Sequence, residues 1–189
     1  MLKEACVENF TNVPGVIERG AKRIELCDNL AVGGTTPSIG VIKITAEYCS
    51  DKDASIIVIL RPRGGDFVYS LMEKAIMMRD LEEIIVLQAN GIAVGALTAA
   101  NALDKPFLEE IAKLASDNGI ELAFHMAFDE IPEEKQRDAL LWLGEIGFKR
   151  ILTHGGPKEN TIFDNAAHIA KLAKITPDMT IMPGGGITK

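Results

Sequence analysis

Apolar runs of strand length alternate along the chain with stretches whose apolar positions recur every three or four residues. LKEACV (2–7), KRIELC (22–27), ASIIVIL (54–60), GIAVGAL (91–97), IELAF (120–124), residues 149–153 and MTIMP (179–183) read as strands. ASIIVIL lacks polar alternation, as a strand covered on both faces requires. Residues 71–87 set Leu71, Ala75, Met78, Leu81 and Ile85 on one predicted helix face, and 104–116 do the same with Phe107, Leu108, Ile111, Leu114 and Ala115. Further helices are predicted over 38–49, 133–146 and 163–174, and a short one is opened by Asn12 and Pro14 and stopped by Gly20.

About seven β/α repeats joined by short loops imply a parallel strand layer with helices outside it. A doubly wound sheet would carry a glycine fingerprint in its first turn, and VENFTNVPG has none. Polar residues instead collect where many strands end, the distribution of a barrel whose loops carry function. The expected fold class is therefore α/β, a TIM-type (β/α) barrel formed by residues 1–189 as one domain. Its strand-preceding loops, Asn118-Gly119 among them, look like plain helix stops.

Composition narrows the partners. A net charge of −7, from 20 basic and 27 acidic residues, disfavours nucleic acid and anionic lipid, so any anion site must be local. Neither a signal peptide nor a spanning segment is readable, which predicts a cytoplasmic protein. Three cysteines without C-x-x-C spacing predict thiols rather than a disulfide framework.

Side chains on a strand repeat with period two, so Glu4 and Cys6 share a face, as do Glu25 and Cys27. Two thiolates at ~2.3 Å from one soft ion span ~4.6 Å, near the ~4.8 Å between adjacent strands. Cys6 and Cys27 are thus candidate metal ligands, with Cu(I) the soft ion thiolates favour; buried packing is the alternative. Arg61 and Arg63, in RPRGGD, are expected to neutralise Glu4 and Glu25, to lower the thiol pKa, or to hold a carboxylate or phosphate, with Asp66 orienting one guanidinium. His125 is a candidate general base with Asp129 as its orienter. Thr153 and the Gly184, Gly185, Gly186 turn are candidate anion contacts, while His168 is expected to face solvent. Two functions stay open at this level: metal binding, or an enzyme acting on a small phosphorylated or carboxylated metabolite with Glu25, Asp66, His125 and Asp129 as acid/base groups.

RIELCDNLAVGGTTPSIG, RPRGGDFVYS, AFHMAFD, RILTHGG and MPGGGIT, in this order, resemble the CutC copper-homeostasis family across essentially the whole chain. The resemblance implies a cytosolic TIM-type barrel concerned with copper. Its proposed copper cysteines match Cys6 and Cys27, and its polar pocket matches Glu4, Glu25, Arg61, Arg63, Asp66, His125 and Asp129. Met126 stands where the family usually has arginine, and His154 where serine is more usual. The family pattern continues through a further helix and an eighth strand, so a C-terminally incomplete barrel is expected, with a homo-oligomeric neighbour able to cover the open edges.

Overall fold

The computed structural model describes residues 2–157 and 159–187. Among them, seven strands alternate with six helices: β1 (Glu4–Glu8), α1 (Val13–Glu18), β2 (Arg23–Cys27), α2 (Ile39–Asp51), β3 (Ser55–Ile59), α3 (Leu71–Val86), β4 (Gly91–Val94), α4 (Lys105–Asp117), β5 (Glu121–Phe124), α5 (Glu133–Glu145), β6 (Arg150–Thr153), α6 (Ala166–Ile175) and β7 (Thr180–Pro183). Two 3₁₀ turns that periodicity does not predict, Leu30–Val32 and Met126–Glu130, follow β2 and β5. The predicted helix face of α3 is displaced: Met77, Leu81 and Ile84 are buried, whereas Leu71 stands 86% exposed in the first turn.

Internal packing divides the chain into two units, one running to Val94 with Asp117–Ile120, the other holding Gly95–Ser116 and the residues from Glu121 onward. In the first unit β1, β2, β3 and β4 pair in parallel and in sequence order. Ile24, Leu26, Ile56 and Val58 are buried from their strands, while Met77, Leu81 and Ile84 are buried from α3. Each such side chain contributes roughly 1.5–3 kcal/mol by leaving water. Local signals fix where the helices begin. Ser38 Oγ accepts from Val41 N at 3.4 Å to start α2. Ser70 and Glu73 form a capping box at α3, Oγ accepting from Glu73 N and the Glu73 carboxylate from Ser70 N.

In the second unit β5, β6 and β7 pair in parallel. α4 buries Phe107, Leu108, Ile111, Ala112 and Ala115, close to its predicted stripe. Phe124 of β5 meets Phe148 edge-on with ring centroids 5.7 Å apart, a geometry that adds to burial. His168 is half-buried rather than solvent-facing: its Nε2 lies 2.8 Å from Gln136 Oε1, so this side of α6 is turned to α5. Among the described residues, no helix is long and apolar enough to cross a membrane.

Candidate functional site

Parallel register puts Cys6 opposite Glu25 and Glu8 opposite Cys27. Period two then turns Cys6, Glu25 and Cys27 to one face of the β1–β2 pair. One ligand atom from each lies within 4.8 Å of the others, and the sulfurs of Cys6 and Cys27 are 3.8 Å apart. This is shorter than the ~4.6 Å of a linear two-sulfur ion, but bonds of ~2.3 Å meeting at about 110° span ~3.8 Å. The geometry suits a bent site with a carboxylate oxygen as third donor. A disulfide is less suited: Cα atoms offset by one strand (~4.8 Å) and two residues (~6.6 Å) stand ~8 Å apart, beyond the ~7 Å that a bridge tolerates.

The expected lowering of the thiol pKa is not found. Cys27 is buried and its thiol is pushed well above its ordinary range, first by the hydrogen bond with Cys6, then by burial and the carboxylates of Glu25 and Glu8. No guanidinium is among its causes. Losing that proton would require a compensating positive charge beside the sulfur. Cys49, in α2, is a buried thiol raised to about 11 by burial.

Arg61 and Arg63 turn out to serve other partners. Glu4 pairs with Arg23 across the β1–β2 register, Nη1 to Oε2 3.7 Å. The Arg61 guanidinium is buried, donating from Nη1 to the carbonyls of Val32 (3.0 Å) and Gly34 (2.9 Å) and from Nη2 to that of Gly65 (2.8 Å). Arg63 bonds Asp66 Oδ1 at 3.0 Å, the carbonyl of Val68 at 2.8 Å and the carboxylate of Glu73. Glu73 in turn is held down to about 2 by the Ser70 backbone N–H and by Arg63. The segment RPRGGD thus ties loops together with donors that the sequence reading offered to a ligand.

In the second unit, the Asp129 carboxylate is engaged by groups at the end of β6. It accepts from Thr153 Oγ1 and, at 2.9 Å, from the backbone N–H of His154, while Gly155 N donates to Thr153 Oγ1 at 2.9 Å. Burial raises the Asp129 pKa. His125 is buried with Nδ1 accepting from Ala127 N at 3.1 Å, which leaves the neutral ring's proton on Nε2. Gly185 and Gly186, both at positive φ, border a cavity of about 500 Å³ with Met126, His154, Asn160 and Phe163. A larger depression of about 1260 Å³ sits among Lys22, Asp53, Val86 and Asn90 in the first unit, apart from every candidate residue.

His154 packs both ring nitrogens against carbonyls, Nε2 3.0 Å from Asn160 O and Nδ1 3.2 Å from Gly184 O. Two acceptors favour the doubly protonated ring, so the pKa is raised, chiefly by the Asn160 carbonyl, with Gly184 and the charge of Asp129 adding to it. A raised folded-state pKa gives stability that is full below the unfolded value of ~6.5 and is lost as pH climbs through the folded value. The raised Asp129 pKa acts in the same direction, from its unfolded value of ~3.9 upward. Urea midpoints should therefore fall between pH 6 and pH 8 in the parent chain and lose that slope in His154→Gln; equal slopes in both would refute the assignment.

Sequence reasoning missed Glu8, Gly34 and Gly95. Glu8 extends the period-two series Glu4, Cys6, Glu8, and its Oε2 accepts from Leu30 N at 2.7 Å, anchoring the turn beside Cys27. Gly34, at positive φ, lies against Cys27 and Ile59, and Gly95 lies where a side chain would strike His125, which no local pattern announces.

Comparison with known proteins joins these observations. The CutC family profile matches residues 1–189. A CutC family protein of Enterococcus faecalis is 48% identical over 189 residues, covering 100% of this chain and 90% of its own. The human copper homeostasis protein cutC homolog is 35% identical over 188 residues, covering 99% and 66%. The crystal structure of CutC from Streptococcus agalactiae superposes with a TM-score of 0.94 at 42% identity, covering 100% and 89%. A deoxyribose phosphate aldolase from Aeropyrum pernix shares the fold alone, at TM-score 0.70 and 11% identity over 98% and 76% of the two chains. The fold class is accordingly α/β of the partial TIM-barrel type, and the chain belongs to the CutC family.

Proposed function

We propose that this chain binds Cu(I) through Cys6 and Cys27, with Glu25 as third donor, and handles copper in the reducing cytoplasm. The observation that carries the reading is the 3.8 Å approach of two sulfurs from neighbouring strands, with a buried carboxylate within reach of both. Thiolate pairs prefer soft monovalent copper to hard ions, and the Glu25 carboxylate supplies a third donor atom on the same face. The name of the human relative, a copper homeostasis protein, supports it. The enzyme reading gains less support, because the guanidinium donors of Arg61 and Arg63 meet carbonyls, Asp66 and Glu73.

Competition for Cu(I) against a chromophoric chelator tests the proposal. Cys6→Ser and Cys27→Ser should each weaken binding by more than the ~10–100-fold that changes behind a ligand cost, and Glu25→Gln by less. Affinity unchanged in both cysteine variants would end the copper reading.

A further inference from the structure

We infer that Arg61 is a positioning residue for the Cys6–Glu25–Cys27 centre, acting through the glycine loop that lies on Cys27. The inference rests on the copper reading for its ligand, and on geometry alone for its mechanism.

Between β2 and α2 the chain passes through Gly33 and Gly34, both at positive φ. A methyl group built on Gly34 would stand 3.4 Å from Cys27 Sγ, 3.5 Å from its Cβ and 3.0 Å from Ile59 Cδ1. The backbone of Gly34 therefore lies against the Cys27 side chain, with Ile59 beside it, and Cys27 is only 2% exposed although Cys6 is open to solvent. On its other side the same loop rests on Arg61. A methyl group on Gly33 would stand 3.1 Å from Nη1, and that nitrogen donates to the carbonyls of Val32 and Gly34. Bonds with Thr36 complete the grip: Arg61 N donates to the side-chain Oγ1 of Thr36 at 2.9 Å, and Thr36 N donates to Arg61 O at 2.9 Å. Phe67 lies under the guanidinium, 4.9 Å from its carbon to the ring centroid, fixing the plane of the fork.

Only a planar fork meets Val32, Gly34 and Gly65 at once; a lysine ammonium is a point donor on a flexible stem. Arg61 thereby keeps Cys27 covered and its sulfur facing Cys6, leaving Cys6 as the open side by which an ion enters. Glycine at both loop positions lets the backbone lie between a cation and a thiol without a side chain separating them.

Thiol labelling with iodoacetamide, mapped by mass spectrometry, reads the cover directly. In the parent chain Cys6 should label at least roughly tenfold faster than Cys27; equal rates would overturn the inference. Arg61→Lys should raise Cys27 labelling roughly tenfold, with the far-ultraviolet circular dichroism retained, and should lower Cu(I) affinity about tenfold by opening the loop. X-ray absorption of its copper complex should show fewer sulfur neighbours, which a purely structural role would leave unchanged. Should Arg61→Lys fail to fold, Thr36→Val releases the same loop without touching the guanidinium and must also speed Cys27 labelling. A parent chain that binds no Cu(I) sinks the copper reading, while labelling still decides the cover. Copper binding with unchanged labelling and affinity in both variants sinks the role of Arg61 and leaves the copper reading standing.

Discussion

Replacing Glu121 by alanine should lower stability by about 3 kcal/mol, the lower end of what removing one partner of a buried ion pair costs. Arg150 opens β6 with its side chain 5% exposed, and its Nη1 is paired with the Glu121 carboxylate at the start of β5. Loss of that carboxylate takes the opposite charge away from a buried guanidinium that stays protonated and cannot neutralise itself. Glu121 keeps a third of its side chain in solvent, so water can enter beside Arg150, which is why the lower end of the range applies. Arg150→Met should cost less, because it removes the charge with its desolvation penalty and leaves an acid that reaches water. In the double variant the two losses should not add, the mark of direct coupling. Urea unfolding of the four chains measures this. A loss below ~1 kcal/mol for Glu121→Ala would class the pair with exposed salt bridges and defeat the argument.

That pair was invisible in sequence, and the reason applies to much of the site. Strand-length apolar runs located all seven strands to within one to three residues at the ends: most are shorter than predicted, GIAVGAL most of all, ending at Val94 instead of 97, while the first runs one residue further, to Glu8. Period two put Glu4 with Cys6 and Glu25 with Cys27, and adjacency of the first two strands sufficed to suggest that the thiols meet. What periodicity does not specify is register. The in-register pairing of Glu4 with Arg23 gives Glu4 a cation from the neighbouring strand, which spacing along one strand does not reveal.

Arg61 illustrates a second limit. A guanidinium facing a carboxylate leaves two charges to be noticed, whereas one facing the carbonyls of Val32, Gly34 and Gly65 leaves no side-chain signal at all. Asp129 is the same case with the opposite sign, its carboxylate taking the N–H of His154. The α3 face was misassigned for a different reason: with Ser70 as cap, Leu71 falls in the first turn, and the buried series starts at Met77. Regular elements follow from side-chain periodicity, but polar sites follow from backbone groups brought near by the fold.

Substituting Gly95 by valine should cost more than the ~1–3 kcal/mol typical of overpacking. A methyl group there would lie 2.6 Å from Cε1 and 2.7 Å from Nδ1 of His125, and 2.8 Å from the Ala127 Cβ. Its φ lies outside the left-handed region, so collision rather than backbone strain sets the cost. Neither neighbour retreats freely: the imidazole is buried, its Nδ1 accepts from Ala127 N, and Ala127 itself is fully buried in the 3₁₀ turn after β5. Gly95→Ala should fall within the overpacking range and displace the ring, so its ¹⁵N resonances should move away from a pure Nε2–H tautomer. His125→Ala should restore part of the loss in the Gly95→Val background by vacating the space, although it destabilises the parent chain. If Gly95→Val unfolds at the parent urea midpoint with unmoved His125 resonances, then the close seat of the ring does not hold His125 in place, and the reason for glycine at the end of β4 lies elsewhere.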